Sequence, residues 1–273
     1  MIKTFLNHTF ALLVLTLSIH TTIEAQVAEG KVVYQFITNL RGIELPRVAT
    51  LYLNKERSVF YHSKGDFKMI ARDYLGNDFD PTKTITSTGD NSGKQLIDGY
   101  MQDSVGNVYF KDFKKKELIM REIIAIVPYL TEEPQLPQFK WKILKEQKDI
   151  GKFKCQKATT DFRGRTYIAW FALGINISNG PWKLHGLPGL ILEAYDKTGE
   201  VKFLFSSITI PCTDEFLINA PVSGKKASFE DWKKADIVEN EKIMQRELSK
   251  KDRDPNSKHE VKKQNTIEKE YEK

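Results

Sequence analysis

From Asp161 to Arg165 the chain reads Asp-Phe-Arg-Gly-Arg, which sets one carboxylate and two guanidinium groups at every second position. Alternate residues of an extended strand share a face, so Asp161, Arg163 and Arg165 together would form a small cluster able to hold a carboxylate, a phosphate or a glycan acid. The plainer expectation is an exposed strand-end ion pair between Asp161 and one arginine, which contributes little on its own. Glu193 is a second candidate, because it interrupts the apolar run from Leu190 to Tyr195. Facing inward it must be paired or protonated. With Asp196 or Asp161 it would then make an acid/base couple for glycan or peptide hydrolysis. Facing solvent it is an ordinary surface carboxylate.

Other chemistries find little support. Beyond residue 25 histidine stands only at 62, 185 and 259, with no two at metal-ligand spacing, so no metal and no cofactor is expected. The run from Gly89 to Gln95 has three residues between its glycines and fails as a phosphate loop, and no Gly-x-Ser-x-Gly occurs. The two cysteines, Cys155 and Cys212, have no Cys-x-x-Cys neighbour. In an exported chain they could pair, closing a loop worth about 4 kcal/mol in the chain-entropy model. The alternative is two buried thiols on separate strands.

The start of the chain implies export. Lys3, an apolar stretch from Phe10 to Ile19 and a small-residue ending at Ala25 have the order of a signal peptide, with cleavage expected after Ala25. The apolar run is too short to span a bilayer. No cysteine stands at the new terminus to take a lipid, and a periplasmic or secreted protein that does not span the membrane is expected. A net charge of +6 is dispersed among both signs along 273 residues, which offers nucleic acid no concentrated basic face.

The elements that must position these side chains read as strands. Val32, Tyr34 and Phe36 alternate on one face of a first strand. Val48 to Ser63 reads as a hairpin around Asn54–Arg57, and Gly106 to Ile126 as another around Lys114–Lys116. Phe67 to Lys94 reads as a long loop with short strands, and the three prolines of Pro128–Gln138 as a connector. Three strands follow, with turns expected at Glu146–Asp149 and Phe162–Gly164. A last hairpin turns at Lys197–Gly199. The strand Tyr167–Ala172 is apolar on both faces and is expected near the sheet centre. Ser228 with Asp231 three positions on resembles a capping box, opening an amphipathic helix with Phe229, Trp232, Ile243 and Leu248 on one stripe. The expected organisation is a signal peptide 1–25, one β-rich domain 26–225, a helix 226–253 and a charged, disordered tail 254–273. The fold class is mainly β: an antiparallel sheet curved into a half-barrel or bowl, capped by the helix.

The stretch from Gly180 to Asp196 joins Gly180-Pro181 to Gly186-Leu187-Pro188-Gly189-Leu190-Ile191. Pro188-Gly189 suits the centre of a type II turn, which makes the motif a rigid corner aiming a buried strand. The functional alternative is that Trp182 and His185 form a lip of a binding site. Together with Cys155-Gln156-Lys157-Ala158, Arg163-Gly164-Arg165 and Ala169-Trp170, the motif resembles the GLPGLI family, exported proteins of Bacteroidota. The resemblance implies a β-rich envelope protein without an assigned reaction, often encoded near outer-membrane receptors. The leading expectation is accordingly a non-enzymatic protein that docks to an outer-membrane receptor or another envelope protein. A hydrolase using Glu193 with an aspartate, and a carrier holding an apolar ligand against Trp141, Trp170 and Trp182, are the alternatives.

Overall fold

A computed structural model describes residues 27–39, 44–62, 86–89, 95–98, 105–124, 127–253 and 267–268. The expected signal peptide, most of the loop from Phe67 to Lys94 and all of the tail except Ile267 and Glu268 lie outside these residues.

Strands β1 (Gly30–Thr38), β2 (Leu45–Leu53) and β3 (Arg57–His62) lead to a short pair, β4 (Thr86–Gly89) and β5 (Gln95–Asp98). Next come β6 (Asn107–Asp112), β7 (Glu117–Ile124), β8 (Val127–Glu132), β9 (Lys142–Ile150), β10 (Phe153–Phe162) and β11 (Arg165–Ala172). The series closes with β12 (Leu190–Asp196), β13 (Val201–Thr209), β14 (Lys225–Lys226) and the helix α1 (Phe229–Arg253). Twelve strands form one sheet in the order β14-β8-β7-β6-β3-β2-β1-β13-β12-β11-β10-β9, while β4 and β5 pair with each other. Pairing in the large sheet is antiparallel except between β14 and β8.

The expected hairpins are present, but β11, expected near the sheet centre, lies third from the edge formed by β9, and three further details differ. The Pro128–Gln138 connector is in part strand: β8 runs through Pro128 beside β7. Its other neighbour is only the two-residue β14, so a proline here interrupts no central ladder. The turn between β9 and β10 falls at Gly151–Lys152 instead of Glu146–Asp149, where Gly151 takes φ 55° and lets β9 continue to Ile150. The third difference concerns Gly189, which does not have the positive φ of a type II turn; among the motif glycines described, Gly186 does, at 93°.

The sheet must be strongly bent. Eight steps in the strand order separate β8 from β11, a distance of about 38 Å if the sheet were flat. Yet Glu133, just after β8, touches Arg163, just before β11, at 2.5 Å. The bend creates an inner face on which Val32, Tyr34, Phe36, Leu51, Phe60, Tyr109 and Phe203 are all buried. The segment between β11 and β12 enters this space and buries Trp182, Leu184 and Leu187, while α1 adds Trp232. Alternate residues of the same strands, Tyr52, Val59, Val108 and Phe110, form a smaller cluster with Ala28 and Ile218 on the other face. There Phe216 stacks on Tyr52 with ring centres 3.9 Å apart.

This two-faced arrangement explains the cysteines. Cys155 on β10 belongs to the inner core and Cys212, past β13, to the outer cluster. The disulfide weighed from the sequence is therefore not formed, and both thiols are free. Burial raises the Cys155 thiol to about 11, which keeps it protonated and unreactive.

Trp232 is buried and Phe229 half-buried at the start of α1, whose first turn is capped by Ser228 accepting from the Asp231 amide at 3.1 Å. Ile243 and Leu248 lie outside the described side chains. Among the described residues no helix is long and apolar enough to cross a membrane.

Candidate functional site

Arg163 and Gly164 are the two central residues of the turn joining β10 to β11, with φ of 47° and 76°. Two successive positive φ values give a type I′ hairpin turn, whose twist matches the flanking strands. The consequence is that the alternation expected of Asp161, Arg163 and Arg165 does not run through the turn: Asp161 lies opposite Thr166 on the exposed face, and Arg165 opposite Phe162 on the buried one. The Arg163 guanidinium folds inward, with only 8% of the side chain exposed. The exposed pair with Asp161 does not form: Asp161 instead accepts from the Thr166 hydroxyl at 2.6 Å.

Arg163 donates to both oxygens of Glu133, at 2.5 and 3.0 Å, and through Nη1 to both oxygens of Glu268, each at 2.7 Å. Phe162 and Phe229 lie against its guanidinium, 4.9 and 5.5 Å from ring centre to Cζ. Lys183 completes the cluster from the loop between β11 and β12. Its ammonium pairs with Glu133 and, at 2.6 Å, with Glu268, and it lies within 5.5 Å of the Trp182 and Trp232 ring centres. Lys183 is fully buried, with Glu133 and Glu268 at 2% and 5% exposure.

The electrostatics follow from this geometry. Burial alone would discharge Lys183, but Glu133 and Glu268 outweigh it and hold the ammonium above its usual range. Burial would likewise raise Glu133, yet Lys183 and Arg163 together hold it below the ordinary carboxylate range. Beside them Glu122 on β7 takes a hydrogen bond from Tyr109, and burial pushes its carboxyl up to about 7.

Arg165 builds a second, adjoining cluster. Its Nη1 donates to Asp196 at 2.6 Å and to Glu200 at 2.8 Å, while Nε donates to the backbone carbonyl of Ile267 at 2.9 Å. Asp196 also accepts from the Val201 amide and the Thr198 hydroxyl, which fixes the β12–β13 turn. The two arginines singled out in the sequence thus hold consecutive residues of one distant segment, Arg165 its main chain and Arg163 its carboxylate.

The remaining sequence candidates lie elsewhere. Glu193 accepts from Lys148 on β9 at 2.5 Å, whereas Asp196 is taken by Arg165, so the two acids have no common partner. Trp182 is a core residue packed edge-on against Tyr109 and Phe162. His185 is buried between Phe113 and Phe139, its Nε2 has no hydrogen-bond partner, and burial with nearby Lys111 pushes it down to about 3. It is a neutral core histidine.

The Gly180–Ile191 motif is a packed corner. A Cβ on Gly189 would stand 2.4 Å from the Ala172 carbonyl oxygen, and one on Gly180 2.8 Å from Ile191 Cβ. Glycine is needed at Gly189 for close approach to β11 and not for its φ. Lys111 on β6 holds the corner from the other side, donating to the carbonyls of Gly180 at 2.9 Å and Leu184 at 3.2 Å.

Sequence reasoning missed Lys183, Glu133, Glu268 and Lys111. A signal existed for two of them, since Lys183 and Lys111 each sit inside otherwise apolar or aromatic runs, Pro-Trp-Lys-Leu and Val-Tyr-Phe-Lys. Among the described residues no cluster of histidine, cysteine and carboxylates is arranged to hold a metal ion.

Residues 162–193 match the family described as "Protein of unknown function (Porph_ging)". That span begins at the Arg163 turn and ends on β12, so it holds Arg163, Arg165, Lys183 and the whole glycine-proline corner. The label is compatible with a Bacteroidota-type protein. No curated protein matches the chain. Among solved structures, PNGF-II in space group C2 is similar at 14% identity over 77% of this chain and 33% of that chain, with a TM-score of 0.48. An uncharacterized conserved protein from Thermus thermophilus is similar at 10% identity, over 78% and 98% of the two chains, with a TM-score of 0.35. The chain thus spans 33% of the length of the PNGF-II chain it matches.

Proposed function

We propose that this is an exported envelope protein of the GLPGLI type that acts by binding, docking a short extended segment of an outer-membrane or periplasmic partner where the β10–β11 turn meets the start of α1. The observation that supports this reading is the seat already occupied by Ile267 and Glu268, held by main chain through Arg165 and by side chain through Arg163. A binding site for an extended peptide needs both kinds of contact, one for affinity and one for register. A hydrolase built on Glu193 and Asp196 is less favoured, since each acid is held by a different cation.

The reading is tested in the native cell envelope with a photo-crosslinking residue at Glu230, which is exposed and adjoins Phe229 beside Arg163. Lys145, exposed on β9, serves as the remote control. Capture of one envelope protein through a defined peptide at 230 and not at 145 is expected. Equal capture from both positions, or none from either, overturns the docking reading.

A further inference from the structure

The part of the cluster that belongs to the sheet and its loops, among the described residues, sets two cations against one carboxylate in direct contact with both. Arg163 and Lys183 bring two buried cations, and Glu133 brings one carboxylate. Glu122 accepts from Tyr109 and also attracts Lys183, although burial pushes its carboxyl up to about 7. The second carboxylate, Glu268, comes from a residue 105 positions beyond Arg163 and makes contacts to both cations. Without it, Arg163 and Lys183 would keep Glu133 and the weaker attraction of Glu122 in a largely dry environment, which favours another negative group at the seat that Glu268 holds.

We propose that Arg163 and Lys183, with Arg165 as main-chain anchor, form a receptor for one glutamate side chain of an extended partner peptide, and that Ile267–Glu268 occupies this receptor in cis until the partner displaces it. The proposal rests on the docking reading above and adds to it the ligand chemistry and a built-in competitor.

Three features support acid selectivity. The guanidinium offers Nη1 to both oxygens of the carboxylate, and Lys183 reaches one of those oxygens at 2.6 Å. An amide at that position would direct its NH2 group at a cation. The Phe162–Phe229 and Trp182–Trp232 ring pairs beside the two cations keep them oriented before any ligand arrives, so little ordering is needed on binding. Displacement exchanges one carboxylate for another, so the intrinsic cost is small. The barrier is the effective concentration of the occupant carried on the same chain, which the free peptide must exceed.

The test uses the full chain and its Glu268→Gln variant, titrated calorimetrically with the peptide Gln264 to Glu272 and with the same peptide carrying glutamine in place of its Glu268. The variant is expected to bind the native peptide about tenfold more tightly than the unaltered chain does, and about tenfold more tightly than it binds the glutamine peptide, as a charge-assisted hydrogen bond implies. Equal binding of the two peptides would overturn the acid receptor and leave docking standing. No binding of either peptide to a folded variant would overturn both. Should the variant not fold, hydrogen exchange in the unaltered chain decides: exchange at Ile267 and Glu268 must rise with excess native peptide and not with the glutamine peptide, and an unchanged profile overturns the proposal.

Discussion

Lys111 and Lys183 are both fully buried, Lys183 within the loop between β11 and β12 and Lys111 against it, but they meet opposite surroundings. Lys111 reaches two backbone carbonyls and, among the described residues, no carboxylate; burial drives its amine well below the usual lysine range. Lys183 reaches Glu133 and Glu268, and their attraction exceeds the burial cost, so its ammonium is held above that range. Equal burial therefore goes with shifts in opposite directions, and the partners decide which. One lysine is a hydrogen-bonding strut under the glycine-proline corner. The other is a charge that requires anions, and one of those anions is supplied by a remote segment.

The largest effect that would test this contrast is expected from Lys183→Met. It removes one member of a buried ion cluster and leaves two carboxylates facing Arg163 alone, so urea unfolding should show a loss of about 3–5 kcal/mol. A loss below that of Lys111→Met would break the comparison. Gly180→Ala is next. Its Cβ would press on Ile191 and displace a carbonyl that Lys111 holds, at a cost of about 2–3 kcal/mol in the same measurement. Gly174→Ala, with open space around it and no positive φ, should stay within about 0.5 kcal/mol.

Lys111→Met is expected to cost less than Lys183→Met and Gly180→Ala, about 1–2 kcal/mol at neutral pH, because it removes two hydrogen bonds and breaks no ion pair among the described residues. Its pH dependence separates the two lysines. With its folded pKa below the ordinary 10.5, Lys111 binds fewer protons in the folded state, so its contribution improves as pH rises toward 10.5. With its folded pKa above 10.5, Lys183 contributes fully below that value, and its contribution is lost as pH rises through the folded pKa. Stability of each variant relative to the unaltered chain, measured from pH 7 to pH 11, should therefore change in opposite directions. Parallel profiles would mean that folding shifts the two amines in the same direction.

Much of the fold was legible. The period-two alternation at Val32, Tyr34 and Phe36, the turn residues Asn54–Arg57 and Lys197–Gly199, and the cap at Ser228 are local signals, and each element formed where they stand. The β9–β10 turn and the strand through Pro128 were misplaced because neighbouring strands determine how far a ladder extends. At the site, the two arginines were visible by spacing, but their partners were not. Asp161 was the natural choice by proximity in sequence, whereas the observed partners Glu133 and Glu268 lie 30 and 105 positions away.

The sequence by itself determined the strand alternation, most of the hairpins, the corner rich in glycine and proline and the presence of two arginines at one turn, because these depend on contacts between near neighbours in the chain. Tertiary structure decided that the sheet bends, that Arg163 turns inward at a positive-φ position, and that burial lowers Lys111 while carboxylates hold Lys183 above its usual range. The reason is physical: the energy of a buried charge depends on the few groups within several ångströms of it, and here those groups come from strands eight places apart in the sheet and from a segment beyond the last helix.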